Sequence, residues 1–307
     1  MRALVLGAAG MLGHRVWREL HEHMDAYAVV RRPFAQYAAL GWFDESRVID
    51  GVDVAADDAL ERAFDVAEPD VVVNAVGIVK QRQDASDAVQ SITINALLPH
   101  RLASLCGETD ARLIHLSTDC VYSGSRGNYS EADAPDARDL YGRSKLLGEV
   151  DAPGCLTMRT SMVGREIGSA RGLIEWFLTR RGETAKGFTR ARFSGLTTAE
   201  LSRVIRHVIE HRPELRGVWH VAGEQISKHD LLALANRAFG LHTTIVADDS
   251  FVCDRTLDAS RFMNATGYRP PTWTAMVAEL AADPTPYDEW ARQWTSIERD
   301  RSTASTS

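Results

Sequence analysis

Short apolar runs and segments with helical spacing take turns along the first half of the chain. The runs at Arg2–Leu6, 27–30, 70–75, 112–117 and 155–159 are apolar nearly throughout, and a shorter one lies at 47–50. Between them, 11–23 places Leu12, Val16 and Leu20 at helical spacing, and 57–64, 92–105 and 141–150 also read as helices. A strand with one wet face alternates apolar and polar residues; strands that do not alternate are covered on both faces. The rhythm therefore predicts an α/β fold with a doubly wound parallel sheet. Past Thr160 it loosens, with helices expected over 198–210, 228–239 and 274–280 and a short strand over 217–220. This smaller, irregular region is expected at the carboxyl ends of the strands, where ligands bind in such sheets.

The chain has 307 residues, enough for one large or two modest domains with a substantial core. Its 35 basic and 42 acidic residues are well mixed and leave a net charge of -7, which argues against a nucleic-acid surface. No apolar stretch approaches the ~20 residues of a membrane span. Cys106, Cys120, Cys155 and Cys253 are scattered without a Cys-x-x-Cys pair, so neither a zinc site nor a disulfide framework is expected. Reduced thiols and a soluble, cytoplasmic protein are the expectation. No metal site is assigned. Ser302 to Ser307 form a polar end expected to fray.

The first apolar run opens directly into Gly7-Ala8-Ala9-Gly10-Met11-Leu12-Gly13 and then a helix. In that context the glycines carry a dinucleotide: Gly7 permits a tight turn, Gly10 lets backbone approach the pyrophosphate, and Gly13 allows close helix packing. The helix N-terminus, including Met11 and Leu12, offers free N–H groups to the phosphates. A signal peptide is not expected, given the three glycines, the charged residues that follow and the lack of a cleavage site. After the second predicted strand stand Arg31 and Arg32, where an acid would bind the ribose of NADH. Guanidinium forks at that point suit a 2′-phosphate, so NADPH is expected, with NADH possible. Asp53 and Val54 follow the third run, near the adenine; Asp53 could equally cap the next helix. Asn74, Ala75, Val76 and Gly77 end the fourth, small enough for a cofactor to lie against backbone.

Tyr141 and Lys145 lie four residues apart and would share a helix face. A free phenol has a pKa near ~10 and exchanges protons poorly at neutral pH; an adjacent ammonium favours the phenolate and lowers it. Thr118 and Asp119, where the fifth strand leaves the sheet, can reach the same volume and bind a substrate carbonyl.

These motifs, with Asn95 in Ile94-Asn95-Ala96 and Ser117-Thr118-Asp119-Cys120-Val121-Tyr122, occur in the order of the extended short-chain dehydrogenase/reductases. Together with Tyr129-x-Glu131-x-Asp133-x-Pro135, the set most resembles the dTDP-4-dehydrorhamnose reductase branch over about residues 1–282. The resemblance implies a Rossmann-type domain over 1–160, rejoined by about 196–222, a substrate-binding region over 161–285 and a tail over 286–307. It implies Thr118, Tyr141 and Lys145 as a catalytic triad, with Asn95 supporting Lys145. The implied activity is reduction of a nucleotide-activated 4-keto-6-deoxy sugar, with Tyr141 as general acid, in deoxysugar or polysaccharide synthesis. Substrate contacts are expected from Thr118, Asp119 and Arg255, the last as a diphosphate ligand or a surface ion-pair partner. Trp176 and His220 are expected to be structural. Cys120 departs from the aromatic residue usual in the branch. A homodimer is the family expectation. Alternatives are a redox-neutral epimerase or dehydratase of the same superfamily, and a dinucleotide-binding regulatory subunit; such subunits commonly lack the intact Tyr/Lys pair kept here.

Overall fold

A computed structural model describes residues 1–79, 86–168 and 171–294. Seven strands, β1 (Arg2–Leu6), β2 (Asp25–Val29), β3 (Val48–Ile49), β4 (Val71–Asn74), β5 (Arg112–Thr118), β6 (Cys155–Thr160) and β7 (Gly217–His220), form one sheet. All are parallel, in the order β7-β6-β5-β4-β1-β2-β3. The order reverses between β1 and β4, the switch point where such sheets bind ligands.

Both faces of the sheet are covered, as strands without alternation require. Ala3 and Val5 pack into one cluster with Val16, Trp17 and Leu20 of α1 (Gly13–His21) and Leu201, Val204 and Val208 of α5 (Thr198–His211). Leu4 and Leu6 point the other way, into a second cluster with Leu60 and Phe64 of α2 (Asp57–Ala67) and Leu98 and Leu102 of α3 (Leu98–Glu108). Each fully buried Leu or Val contributes about 1.5–3 kcal/mol relative to exposure. The helix α4 (Leu140–Leu147) follows β5 and carries Tyr141 and Lys145.

The region after β6 is built from short strands. Met162–Val163 pairs with Leu196–Thr197, and Thr184–Phe188 with Thr244–Asp248; Ala191–Phe193 pairs with Ile226–Ser227 and Cys253–Asp254. α5 and α6 (Lys228–Ala238) lie between them, and α7 (Trp273–Ala282) follows the last. None of the described residues forms a helix long and apolar enough to cross a membrane. All four cysteines are free thiols.

Two elements differ from expectation. The helix predicted over 92–105 is a wider π-helical turn, Ile92–Leu97, running into α3. The side chain of Asn95 explains the distortion: it accepts from Ile78 N (2.9 Å) and donates to Ile78 O (3.0 Å) and Ser144 Oγ (3.2 Å). Such turns inside helices are frequent at functional sites. The expected tail is also partly structured: 287–294 is helical, and Tyr287, Trp290 and Trp294 are buried in the first cluster. Their spacing by three and four residues is itself a helical signal. Ser302 to Ser307 lie outside the described residues.

Candidate active site

A cavity of about 550 Å³ lies where β1, β4 and β5 end, between the sheet and the irregular region. One wall is the glycine-rich turn. Gly7 has φ +78°, and a side chain there would meet Val76 at 3.0 Å; a Cβ at Gly13 would lie 2.0 Å from the Gly7 carbonyl oxygen. Only glycine lets α1 start this close to β1. Gly10, Met11 and Leu12 line the cavity, and α1 has neither a capping side chain nor an acid in its first turn. Its positive end is thus left to whatever anion the cavity takes. Ala75, Val76 and Gly77 line the cavity beside it. Behind them the Asn74 amide oxygen accepts from Val76 N (3.1 Å) and braces the turn. These residues fit a dinucleotide.

The adenosine-side candidates sit apart from this cavity. Arg31 is 77% exposed and 4.0 Å from Asp53. Arg32 instead packs over the Trp294 ring, 4.9 Å from its centre. Asp53 also accepts from Ala55 N (3.1 Å), and Val54 packs against the second core cluster.

Glycines also fix the approach of α4. Asp139 caps the helix by accepting from Gly142 N (3.0 Å). A Cβ on Gly142 would lie 2.3 Å from the Cys120 carbonyl, and one on Gly148 1.9 Å from that of Asn95. The helix therefore rests on both the 119–121 turn and the π-helical turn. This brings Thr118, Tyr141 and Lys145 to one wall of the cavity. The Thr118 hydroxyl is hydrogen-bonded to Tyr141 and accepts from Cys120 N (3.1 Å). Lys145 donates from Nζ to the Leu116 carbonyl at 2.6 Å. Asn95 reaches Ser144 rather than Lys145 itself, so any support it gives passes through α4.

The electrostatics reverse one expectation. Burial raises the Tyr141 phenol, with Cys120 adding to the rise, and Lys145 is not among the groups that shift it. Lys145, itself lowered by burial to about 8, does not offset that desolvation. Asp119 is raised by burial, against the pull of Arg255.

Arg255 reaches the cavity while donating from Nε to Tyr122 O (2.8 Å) and from Nη2 to Ser123 O (3.3 Å). Its surface ion-pair alternative is not what the structure shows. Arg192, Lys228 and Phe251 line the same end, and Phe188 packs on Phe251 with ring centres 5.3 Å apart. Sequence reasoning passed over these residues because they come from separate short elements with no common spacing. Trp176 packs partly buried against the core. His220 is fully buried, its ring bonded to Tyr129 O (3.0 Å) and Tyr122 Oη (3.2 Å), and both are structural as expected. Glu131 accepts from His220 N (3.0 Å), and Asp133 accepts from Ser130 N (2.7 Å), so the Tyr129–Pro135 stretch buttresses the loop beside the site. Among the described residues, no three or more His, Cys, Asp or Glu side chains converge to hold a metal ion.

Known proteins share this architecture. The chain is 30% identical over 258 residues to methionine adenosyltransferase 2 subunit beta of Danio rerio, covering 78% of this chain and 74% of that one. It is 23% identical over 305 residues to a dTDP-4-dehydrorhamnose reductase of Aggregatibacter actinomycetemcomitans, covering 92% and 98%. The crystal structure of dTDP-4-dehydrorhamnose reductase from Bacillus anthracis in complex with NADP superposes with a TM-score of 0.75 at 19% identity, covering 92% and 99%. The family model for the RmlD substrate binding domain matches residues 1–284. The chain thus belongs to the RmlD substrate binding domain family, within the extended short-chain dehydrogenase/reductases.

Proposed function

We propose that this chain is an NADPH-preferring reductase of a nucleotide-activated 4-keto-6-deoxy sugar, working in the cytoplasm in deoxysugar or polysaccharide synthesis. The observation that carries it is one cavity with three ends: a glycine-rich turn, the Thr118–Tyr141–Lys145 wall, and a cationic aromatic end. When bound, the dinucleotide supplies hydride to the ketone carbon. Thr118 and Tyr141 hold the ketone oxygen by hydrogen bonds, and Tyr141 gives it a proton as negative charge develops. Lys145 adds a positive charge on the same helix face and would hold the cofactor ribose. Arg255, Arg192 and Lys228 suit a diphosphate, and Phe251 offers a face for a base. The relatives named as dTDP-4-dehydrorhamnose reductases support both substrate class and cofactor.

The test is NADPH consumption with dTDP-, UDP- and GDP-4-keto-6-deoxy sugars, with NADH in parallel. Rapid consumption with one sugar nucleotide is expected; none with any of them contradicts the proposal. The similarity to a methionine adenosyltransferase subunit favours a second reading, a dinucleotide-binding partner of another enzyme. The assembled Thr118, Tyr141 and Lys145 weigh against it. A chain that binds NADPH, reduces nothing and co-purifies with another enzyme would reverse that ranking.

A further inference from the structure

The family model ends at residue 284, yet the segment just beyond it packs against the back of the dinucleotide site at two points. The first is the glycine-rich turn. His14 is fully buried; its Nδ1 lies 2.8 Å from the Gly10 carbonyl and its Nε2 2.8 Å from the Tyr287 hydroxyl. A carbonyl only accepts, so Nδ1 carries the proton, and in the neutral ring Nε2 then accepts from Tyr287. Burial favours that neutral form, lowering His14 to about 4 and raising Tyr287 to about 12. Gly10 itself lines the cavity, whereas His14 and Tyr287 do not.

The second point is the loop after β2. Trp294 lies beneath Arg32 at 4.9 Å and beside Tyr37, with ring centres 5.4 Å apart. Trp290 meets Trp42 at 5.1 Å, and the Trp42 indole donates to the His14 carbonyl (3.3 Å), closing the set around α1. The segment also touches the 165–168 loop, whose Glu166 and Ile167 line the cavity. Asp288 accepts from Arg165 (2.6 Å), and Trp294 fills the space a side chain on Gly168 would occupy.

We propose that residues 287–294 form a clamp that sets dinucleotide affinity without touching the dinucleotide: Tyr287 positions the glycine-rich turn through His14, and Trp294 positions the Arg31–Tyr37 loop through Arg32. Both are positioning residues. The proposal rests on the dinucleotide reading of the cavity.

Calorimetric titration of the full chain with NADPH, alongside steady-state kinetics, tests it. Tyr287→Phe keeps the ring and removes only the hydroxyl, leaving the His14 acceptor unpaired. Its Kd for NADPH is expected to rise about tenfold, the order expected for a buried group left without its partner. KM for NADPH should rise with it, by more than kcat falls. Trp294→Leu keeps an apolar side chain but loses the ring face under Arg32, and should weaken NADPH roughly fivefold. The matched control is Tyr268→Phe, which removes a partly buried hydroxyl bonded to Glu200 and off the cavity wall. It should leave the Kd for NADPH unchanged. An unchanged Kd in Tyr287→Phe, or an equal rise in Tyr268→Phe, overturns the proposal. Failure of the unmodified chain to bind NADPH is a different result: it sinks the dinucleotide reading and the clamp with it.

Discussion

At pH 7 Tyr141 carries its proton, as an ordinary phenol does, and burial raises it further, while the same burial brings Lys145 down to about 8. A protonated phenol is the form that can donate to a developing alkoxide. Tyr141→Phe should keep dinucleotide binding and lose about 10²–10⁴-fold in turnover, the usual worth of a positioned acid. Near-normal turnover in that variant would remove Tyr141 from the reaction. Lys145 sets the pH dependence. Its ammonium is lost as pH rises through about 8, so turnover with saturating substrates should fall along that limb. The residual activity of Lys145→Met should lack it. The pairing of Tyr141 with Lys145 was legible in the spacing alone, because four residues is one helical turn. The direction of the phenol's shift was not, since spacing says nothing about how deeply the phenol is buried.

The helix α4 reaches its position because Gly142 and Gly148 let it rest on neighbouring backbone. Alanine at an exposed helical position usually gains about 1 kcal/mol over glycine. Gly142→Ala should show the opposite balance. Its methyl would meet the Cys120 carbonyl and the Ala137 side chain, so the helix must lift and carry Tyr141 from Thr118. A displacement on the order of 1 Å costs roughly 100-fold in rate. Turnover should therefore fall far more than the melting temperature, a comparison that kinetics and calorimetry on one preparation can make. The strand-and-helix rhythm of the first half was readable because each strand is buried on both faces and each helix carries one apolar stripe. The π-helical turn at Ile92–Leu97 was hidden, because the contacts that widen it come from Ile78 and Ser144, distant in sequence. Arg192, Lys228 and Phe251 were hidden for the same reason: three short elements bring them together only in the folded chain.

Across the whole molecule, the first core cluster joins α1, α5, the irregular region and the 287–294 segment into one body around the cavity. His14 sits inside it with its pKa lowered from 6.5 to about 4. A base with a depressed folded pKa takes up a proton on unfolding, so stability is full above 6.5 and falls as pH drops toward about 4. That loss is roughly 3 kcal/mol for His14. His115, also fully buried and lowered, adds to it in the same direction. Denaturant unfolding at several pH values should show this slope, shallower in His14→Gln; equal slopes in both chains would assign the effect elsewhere. The burial of Tyr287, Trp290 and Trp294 was available in their spacing, but polar neighbours and a place at the chain's end masked it.

The most direct test of the central claim uses NADPH deuterated at the transferable position of the nicotinamide, with the sugar nucleotide that supports turnover. A reductase of this kind moves that deuterium to the former ketone carbon, so mass spectrometry of the product should find it there in one copy per NADPH consumed. Tyr141→Phe should all but abolish the transfer. A product formed without deuterium, or without net loss of NADPH, would contradict the account and point to a redox-neutral enzyme.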